Sequence, residues 1–408
     1  MNDIIIVGAG ASGMVAAIMA ARSGASVLML EHMDIAGKKI LATGNGRCNY
    51  TNRTQTTDCY RGTHSEFAWD ILQQFTLHDT IDFFQQLGIL PREKNDCLYP
   101  MSMQAVSVRD ALLLELRRLH VTIKTGIGIR RITKQNGKFI FETKQGTFQS
   151  RVCVLACGGK AAKKTGSDGS GYLYLTAFGH TVRPLLPALV QLTSGHSGLS
   201  ELAGVRTEAK VRIYTGEEYR LAAQDSGELQ LTEYGISGIP VFQVSRYAAM
   251  ALYEKQPVFA ELDFLPEFDG ITLEKTLKMR FESYKKDRTV RESLIGLFPE
   301  KLISVLLQEA GIRTETPAEY VNEKKQKKLV HAIKNFKLEI TGTKSFDAAQ
   351  TTAGGIDTTE LTSQLESCLV PGLFFAGEMI DIDGKCGGYN LQWAWSSGAV
   401  AGKAAAQK

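Results

Sequence analysis

The chain has 408 residues, 44% hydrophobic and 22% charged, with a formal net charge of +4. That composition supports a buried core and excludes a disordered chain, and roughly 150 residues per domain suggests two or three domains. The mild positive excess neither demands nor excludes an anionic partner. The apolar stretch 4–21 is interrupted by Gly8, Gly10, Ser12 and Gly13 and follows no basic segment, so neither a secretory signal nor a membrane helix is expected. Seven cysteines at no paired spacing predict free thiols in a reducing cytoplasm rather than a disulfide framework. No CxxC or HExxH occurs, so no metal site is expected.

Residues 3–7 (DIIIV) read as a buried strand, followed by the turn Gly8-Ala9-Gly10-Ala11-Ser12-Gly13 and an Ala-rich helix over 14–23 that Gly24 ends. A second strand over 26–30 closes on Glu31. Strand, glycine turn, helix, strand and acid in this order form a dinucleotide-binding fingerprint. Gly8 allows the tight turn, Gly10 lets the backbone approach a pyrophosphate, and Gly13 lets the helix pack on the strand. The helix N-terminus supplies free N–H groups and a positive dipole end. Glu31, 18 residues after Gly13, suits the adenosine ribose hydroxyls and repels a 2′-phosphate, which argues against NADP as the bound nucleotide. This region alone does not separate FAD from NAD.

Residues 37–52 (GKKILATGNGRCNYTN) are too polar and glycine-rich for a strand or helix and read as a loop. Lys38, Lys39 and Arg47 offer cations to a phosphate or substrate there, and Gly44 and Gly46 allow close backbone approach. Helical spacing follows over 66–87 and 107–119, then strands over 121–123, 129–134 and 139–143. A buried strand at 153–157 ends in Gly158 and Gly159. The run 166–171 (GSDGSG) has the wrong spacing for a second dinucleotide turn. His180 reads as a packed, hydrogen-bonded histidine at a helix end.

Near 190 the texture changes. Residues 189–262 read as short alternating strands, including 209–214 and 228–231, with Tyr234 either facing substrate or capping a turn. Residues 271–334 carry 14 Lys+Arg against 9 Asp+Glu, a net +5, densest at Lys324, Lys325, Lys327 and Lys328. That stretch is a solvated helix face or a contact for an anionic polymer such as ribosomal RNA. A strand at 372–376, the run 381–392 (DIDGKCGGYNLQ) and an Ala-rich helix to 406 follow. Glycine turns at both ends of the sequence suggest one long cofactor, which favours FAD.

The expected fold is α/β: a discontinuous Rossmann-type FAD-binding domain (1–188 and 351–408), a nested β-barrel-like substrate domain (189–262 and 336–350) and a helical insertion (263–335).

The stretches GKKILATGNGRCNYTN, LTEYGISGIP (231–240), TTAGGI (351–356) and GLFFAGEMIDIDGKCGGYNLQWAWSSG (372–398) resemble the BaiN/YhiN-like flavoproteins, relatives of the glutathione-reductase-type FAD fold, over nearly the whole chain. The resemblance implies that Gly8, Gly10, Ser12, Gly13 and Glu31 hold the ADP half of FAD. It implies a backbone contact to adenine at Ile129, and places Ala156, Cys157 and Gly158 near the ribose and pyrophosphate. Lys39, Asn45, Gly46 and Arg47 are expected along the cofactor. Gly377 and Glu378 are expected at the ribitol and pyrophosphate, with Glu378 where the wider fold carries Asp. Gly388, Tyr389, Asn390, Leu391 and Gln392 are expected at the flavin ring, on a helix N-terminus whose dipole favours the anionic reduced flavin.

The activity implied is reduction of an activated C=C bond in a steroid- or bile-acid-type enone. NAD(P)H would serve as a diffusible reductant, because no second nucleotide motif is present. Reduction of uracil to dihydrouridine in ribosomal RNA, and oxidation of a small amine such as aminoacetone, are alternatives associated with members of the family. Reducing a C=C bond needs a proton donor beside the hydride. Cys48, with its thiol pKa lowered by a nearby cation, Cys386 and Tyr389 are the candidates, and Arg47 is placed to polarise a substrate carbonyl.

Overall fold

A computed structural model describes residues 2–284 and 287–408. The chain divides into two compact units, Met1–Pro187 with Phe346–Lys408, and Ala188–Ser345. Each has its own apolar core.

The first unit is built on a sheet of seven strands among the described residues. Asn2–Val7 pairs in parallel with Val27–Leu30 on one side and Gly146–Leu155 on the other. Thr122–Lys124 extends the sheet beyond Val27–Leu30, and Leu373–Phe375 pairs in parallel with the end of Gly146–Leu155. The long strand Gly146–Leu155 also turns back antiparallel on Lys138–Thr143, which pairs with Ile129–Gln135. Ile4, Ile5 and Ile6 are fully buried, as a strand covered on both faces requires. Because Asn2–Val7, Val27–Leu30, Gly146–Leu155 and Leu373–Phe375 run the same way, the segments that follow them leave from one edge. That carboxyl edge is where open α/β sheets bind ligands.

Helix Ala11–Arg22 packs against helix Tyr389–Ala405, the last of the chain. Both are buried nearly all round, in keeping with their high Ala, Gly and Ser content. The helical pattern over 66–87 resolves into Glu66–Gln74 and Leu77–Gln86. Thr76 breaks it by capping the second helix, accepting the Asp79 N–H while Asp79 accepts the Thr76 N–H.

In the second unit six antiparallel strands close a barrel in the order Leu192–Ser194, Gly235–Gly238, Arg220–Thr232, Arg206–Thr215, Val258–Asp263, Phe336–Thr343. Helix Ile239–Tyr253, unforeseen in a stretch read as strands, follows Gly238 with Pro240 in its first turn, where a missing N–H costs nothing. The sequence reading separates a helical insertion from the barrel, but one core joins them. Leu277, Leu306, Leu329 and Ile333 from the helices pack with Val211, Leu262 and Leu338 from the strands. The chain re-enters the first unit at Phe346 rather than at 351.

No helix among the described residues is long and apolar enough to cross a membrane. The seven cysteines form no disulfide among the described residues.

Candidate cofactor cradle and active site

Three turns are stitched together at the carboxyl edge. Gly8 N–H donates to Leu30 O at 2.8 Å, Ala156 N–H to Val7 O at 2.8 Å, and Ala376 N–H to Leu155 O at 3.0 Å. A Cβ on Gly8 would lie 2.4 Å from Ala156 O, and one on Gly13 would lie 2.0 Å from Gly8 O. These two glycines are therefore required by packing. Gly10 differs, because a Cβ there would meet nothing within 4 Å. It opens onto free space at the start of helix Ala11–Arg22, whose first turn has no side-chain cap. Those N–H groups have no intrahelical partner and are presented outward.

Glu31 is buried beside this turn. Its carboxylate accepts the Ala9 N–H at 2.7 Å and the Met33 N–H at 2.8 Å. The run 166–171, set aside on spacing, packs here: a Cβ on Gly166 would lie 2.9 Å from Met33 Cγ. Ser167 Oγ and the Tyr172 hydroxyl are buried and have no hydrogen-bond partner among the described residues. Ser167 Oγ would lie 2.9 Å from a Cβ on Gly158. Buried unsatisfied hydroxyls beside an open glycine and an uncapped helix fit a nucleotide with a ribose and a pyrophosphate. Ile129 O accepts the Tyr174 hydroxyl at 2.8 Å. Cys157 donates weakly to Val7 O, and burial pushes its thiol up to about 12, which leaves its backbone as the group available to a cofactor.

Residues far apart in sequence meet on the other side of the turn. A Cβ on Gly377 would lie 2.4 Å from Ser12 Oγ. The Gly377 N–H donates to Ser397 Oγ at 2.9 Å, and its carbonyl accepts the Trp393 indole N–H at 3.0 Å. Lys39 Nζ reaches Glu378 Oε2 at 2.6 Å, while Glu378 Oε1 accepts the Thr352 N–H and hydroxyl, each at 2.9 Å. Both carboxylate oxygens are thus engaged. Glu378 thereby sets the position of Lys39.

The loop 37–52 is partly helical, contrary to expectation: Lys38–Ala42 forms one short helix, and Thr43–Gly46 a tight turn. Gly44, Asn45, Gly46 and Cys48 all take left-handed backbone angles, φ +54 to +80°. Asn45, Gly46 and Arg47 are exposed, and Arg47 Nε donates to Gly44 O at 3.3 Å. The loop seats on the start of helix Tyr389–Ala405. A Cβ on Gly388 would lie 2.7 Å from the Thr51 carbonyl carbon, and Asn52 Nδ2 donates to Gly387 O at 3.0 Å.

Several expected contacts are corrected here. Cys48 is fully buried, and burial pushes its thiol up to about 12 instead of a cation lowering it. It is a packing residue. Gln392 is also fully buried: it accepts from Thr51 Oγ1 at 2.6 Å and donates to Thr80 Oγ1 at 2.7 Å and Ser396 Oγ at 2.9 Å. Its N–H donates to Gly388 O, so it ties the helix to its neighbours and has nothing left for a flavin. Asn390 is spent on the 384–385 turn, donating to Gly384 O at 2.9 Å and accepting the Gly384 N–H at 2.8 Å. Tyr389 is buried edge-on against Tyr60, and its phenol is raised above its ordinary value by burial and by the Cys59 thiol. Leu391 is half-buried, and the N–H groups of 389–391 head a helix whose N-cap, Gly388, offers no side chain.

The structure adds two residues to this end. In strand Cys97–Pro100, Leu98 and Pro100 are buried, which leaves Cys97 and Tyr99 on the opposite face. Cys97 Sγ donates to Gly387 O at 3.7 Å. Tyr99 neighbours Gly44, with its ring 3.7 Å from a Cβ built there. Burial raises the Tyr99 phenol, opposed by the nearby Arg47 cation, with Cys97 and Cys386 also within electrostatic reach. Arg47, Cys97, Tyr99 and Cys386 therefore converge near the glycine entrance of the last helix. The alternation of Cys97 and Tyr99 between two turns was the available sequence signal.

His180 is buried, with Nδ1 at 2.7 Å from Glu360 and Nε2 at 2.8 Å from Ser367 Oγ. Ser367 Oγ already accepts the Leu369 and Val370 N–H groups, so the row is a structural brace. Tyr234 sits in the turn before Gly235 with the Lys344 ammonium 3.7 Å from its ring centre.

The described residues hold no cluster of His, Cys, Asp or Glu suited to a metal ion. The chain is 45% identical over 411 aligned residues, covering 100% of both proteins, to the 3-dehydro-bile acid delta(4,6)-reductase of Clostridium scindens. It is 31% identical to the ribosomal RNA dihydrouridine synthase of Escherichia coli K12, covering 97% of this chain and 96% of that one. Among solved structures, the 3-ketosteroid-delta4-(5alpha)-dehydrogenase from Rhodococcus jostii RHA1 aligns over 100% of this chain and 97% of its own, at 15% identity and a TM-score of 0.49. The protein is an FAD-dependent oxidoreductase. Residues 2–404 match the HI0933-like protein Rossmann domain, and the chain belongs to that family.

Proposed function

We propose that this protein reduces a C=C bond conjugated to a carbonyl in a small bile-acid-type molecule, drawing electrons from NAD(P)H in the cytoplasm. The observation that carries the reading is end-to-end 45% identity to a bile-acid reductase, against 31% and 29% for the ribosomal RNA dihydrouridine synthases. The overall change balances as NAD(P)H, a proton and the enone giving NAD(P)⁺ and the saturated ketone. Bound FAD would supply hydride transfer between the two.

This chain's own residues would do the rest. Gly10, Ser12 and Glu31 hold the nucleotide half on a turn that Gly8 and Gly13 shape, with Ala156, Gly158, Ser167 and Gly377 around it, and Lys39 set by Glu378. Arg47 holds the substrate carbonyl and stabilises negative charge developing on its oxygen. Tyr99 replaces Cys48 as the proton donor, because its phenol stays protonated at neutral pH and lies beside Arg47 on the accessible face of its strand. Cys97 and Cys386 are the remaining acids of this cluster.

A second reading, reduction of uracil in ribosomal RNA, is favoured by the full-length likeness to the Escherichia coli enzyme and involves the same kind of double bond. Anaerobic stopped-flow distinguishes the two. Reduced, FAD-loaded enzyme is mixed with a 3-oxo-Δ4 steroid or with unmodified ribosomal RNA. Fast reoxidation by the steroid alone supports the first reading, and fast reoxidation by RNA alone replaces it with the second. In the same assay Tyr99→Phe should slow reoxidation by about 10²-fold or more and spare reduction by NAD(P)H. Cys48→Ala should leave both half-reactions close to wild type.

A further inference from the structure

The barrel unit contains a charged concavity that the reductase reading does not use. An open cleft of about 830 Å³ is lined by residues of the helices Glu300–Glu309 and Glu323–Lys334 and by the start of strand Phe336–Thr343. One helix face supplies Lys324, Lys327, Lys328 and His331 at three- and four-residue spacing, so their side chains lie along one stripe. Lys327 is neutralised by Glu323 at 2.7 Å. Lys324 and Lys328 make no ion pair among the described residues. Lys337 also stands in the lining, but its ammonium lies 4.2 Å from the Tyr219 ring centre and 4.1 Å from that of Phe259, two rings outside that lining. Those rings engage its charge, which leaves Lys324 and Lys328 as the unpaired cations of the cleft.

The shape distinguishes a pocket from a track. The volume falls in the range typical of small-molecule sites, about 300–1,000 Å³. Ala332 and Phe336 give the lining an apolar part, and Asn335 offers both a donor and an acceptor. Glu323 is spent on Lys327, and Glu309 stands at the other side of the lining, so the unpaired positive charge is confined to Lys324 and Lys328.

We propose that this cleft binds a soluble organic phosphate. Lys324 and Lys328 take the phosphate groups, and Ala332 and Phe336 take the apolar part. The test is calorimetric titration of the FAD-loaded, full-length protein with ADP, inorganic pyrophosphate and a uridine-rich RNA oligonucleotide. ADP and pyrophosphate should each bind saturably at one site per chain, more weakly as salt rises. The double variant Lys324→Gln/Lys328→Gln should weaken both by about tenfold or more, with flavin content and absorbance spectrum unchanged. Absence of saturable binding at millimolar ADP and pyrophosphate, or equal affinity in the variants, would overturn the proposal. So would an RNA affinity that exceeds that of ADP and grows with length, which would make the cleft part of a polyanion surface.

Discussion

Gly10 and Gly13 stand three residues apart in one turn, yet their replacement should produce opposite phenotypes. Gly10 has φ −84° and ψ −167°, a conformation open to any residue, and a Cβ there touches nothing. Gly10→Val should leave the apoprotein folded, costing about 1 kcal/mol because valine is a poor N-cap. For a unit of this size that lowers Tm by about 2–4 °C. The added methyl groups fill the space that a pyrophosphate needs to reach the first-turn N–H groups. Losing two charge-assisted hydrogen bonds, about 1.5–3 kcal/mol each, weakens FAD by about 10²–10⁴-fold. Gly13→Ala places its Cβ 2.0 Å from the Gly8 carbonyl oxygen and 3.3 Å from Ala156 Cβ. Helix and turn must separate by about 1 Å, an overpacking that costs roughly 1–3 kcal/mol or more before any cofactor is considered. Apoprotein Tm by calorimetry, with FAD affinity by fluorescence titration, separates the two effects. Stoichiometric FAD retained by Gly10→Val, or an unchanged apoprotein Tm in Gly13→Ala, would refute the division between binding and packing roles.

Three other outcomes are expected. Lys39→Met leaves Glu378 on Thr352 alone and removes a cation from the cradle, so FAD affinity should fall about tenfold while Glu378→Gln, which keeps the Thr352 contacts, falls less. Equal losses in titration would count against Lys39 as the cofactor-facing member. Glu115 is buried between Arg22 and Arg118, which hold its carboxyl down to about 2. A depressed pKa stabilises the fold above the unfolded-state value near 4.5 and loses that stabilisation as pH falls toward 2, so Glu115→Gln should lower Tm at pH 7 and narrow its deficit below pH 4. A deficit that stays constant with pH would exclude this ionic contribution. Gly402→Leu drives a side chain into Ala16, whose carbonyl oxygen lies only 2.3 Å from a Cβ at 402, and should lower both Tm and FAD content; wild-type values for both would show that the helix contact tolerates expansion.

The parts of the fold that obey local rules were legible in the sequence. The strand–turn–helix–strand opening is one of them, because periodicity, glycine placement and the closing acid depend on neighbouring residues. What the sequence concealed depends on pairing at long range. The barrel closes only where Leu192–Ser194 meets Phe336–Thr343, and nothing local to either strand specifies that partner. Gln392 illustrates the same limit within the site. A polar residue in the first turn of a helix behind paired glycines looks available to a ligand, but Thr51, Thr80 and Ser396 consume it. Cys48 looked activated because Arg47 adjoins it in sequence, but the left-handed turn points the thiol inward while the guanidinium stays outside. Conversely Tyr99 drew no notice because its partners, Gly44 and Arg47, lie half a hundred residues upstream.

The two distant ends of the sequence are coupled by one helix contact. Gly398 and Gly402, four residues apart, face Ser12 and Ala16, also four apart; a Cβ on Gly398 would lie 2.4 Å from Ser12 O, and one on Gly402 2.3 Å from Ala16 O. Backbones this close leave no room for side chains between them, so the helices interlock in one register. Ser12 belongs to the uncapped turn that would meet the pyrophosphate, and Gly388 heads the helix that would meet the flavin. The spacing between these two helix N-termini is therefore set by rigid backbone contact. Lys39–Glu378 and the Ser12–Gly377 approach add two further ties across the same division. A cofactor that spanned both ends would find the two N-termini already held at one separation, which would reduce the ordering cost of binding. The small residues of the last helix would then serve cofactor binding through contacts with the protein itself.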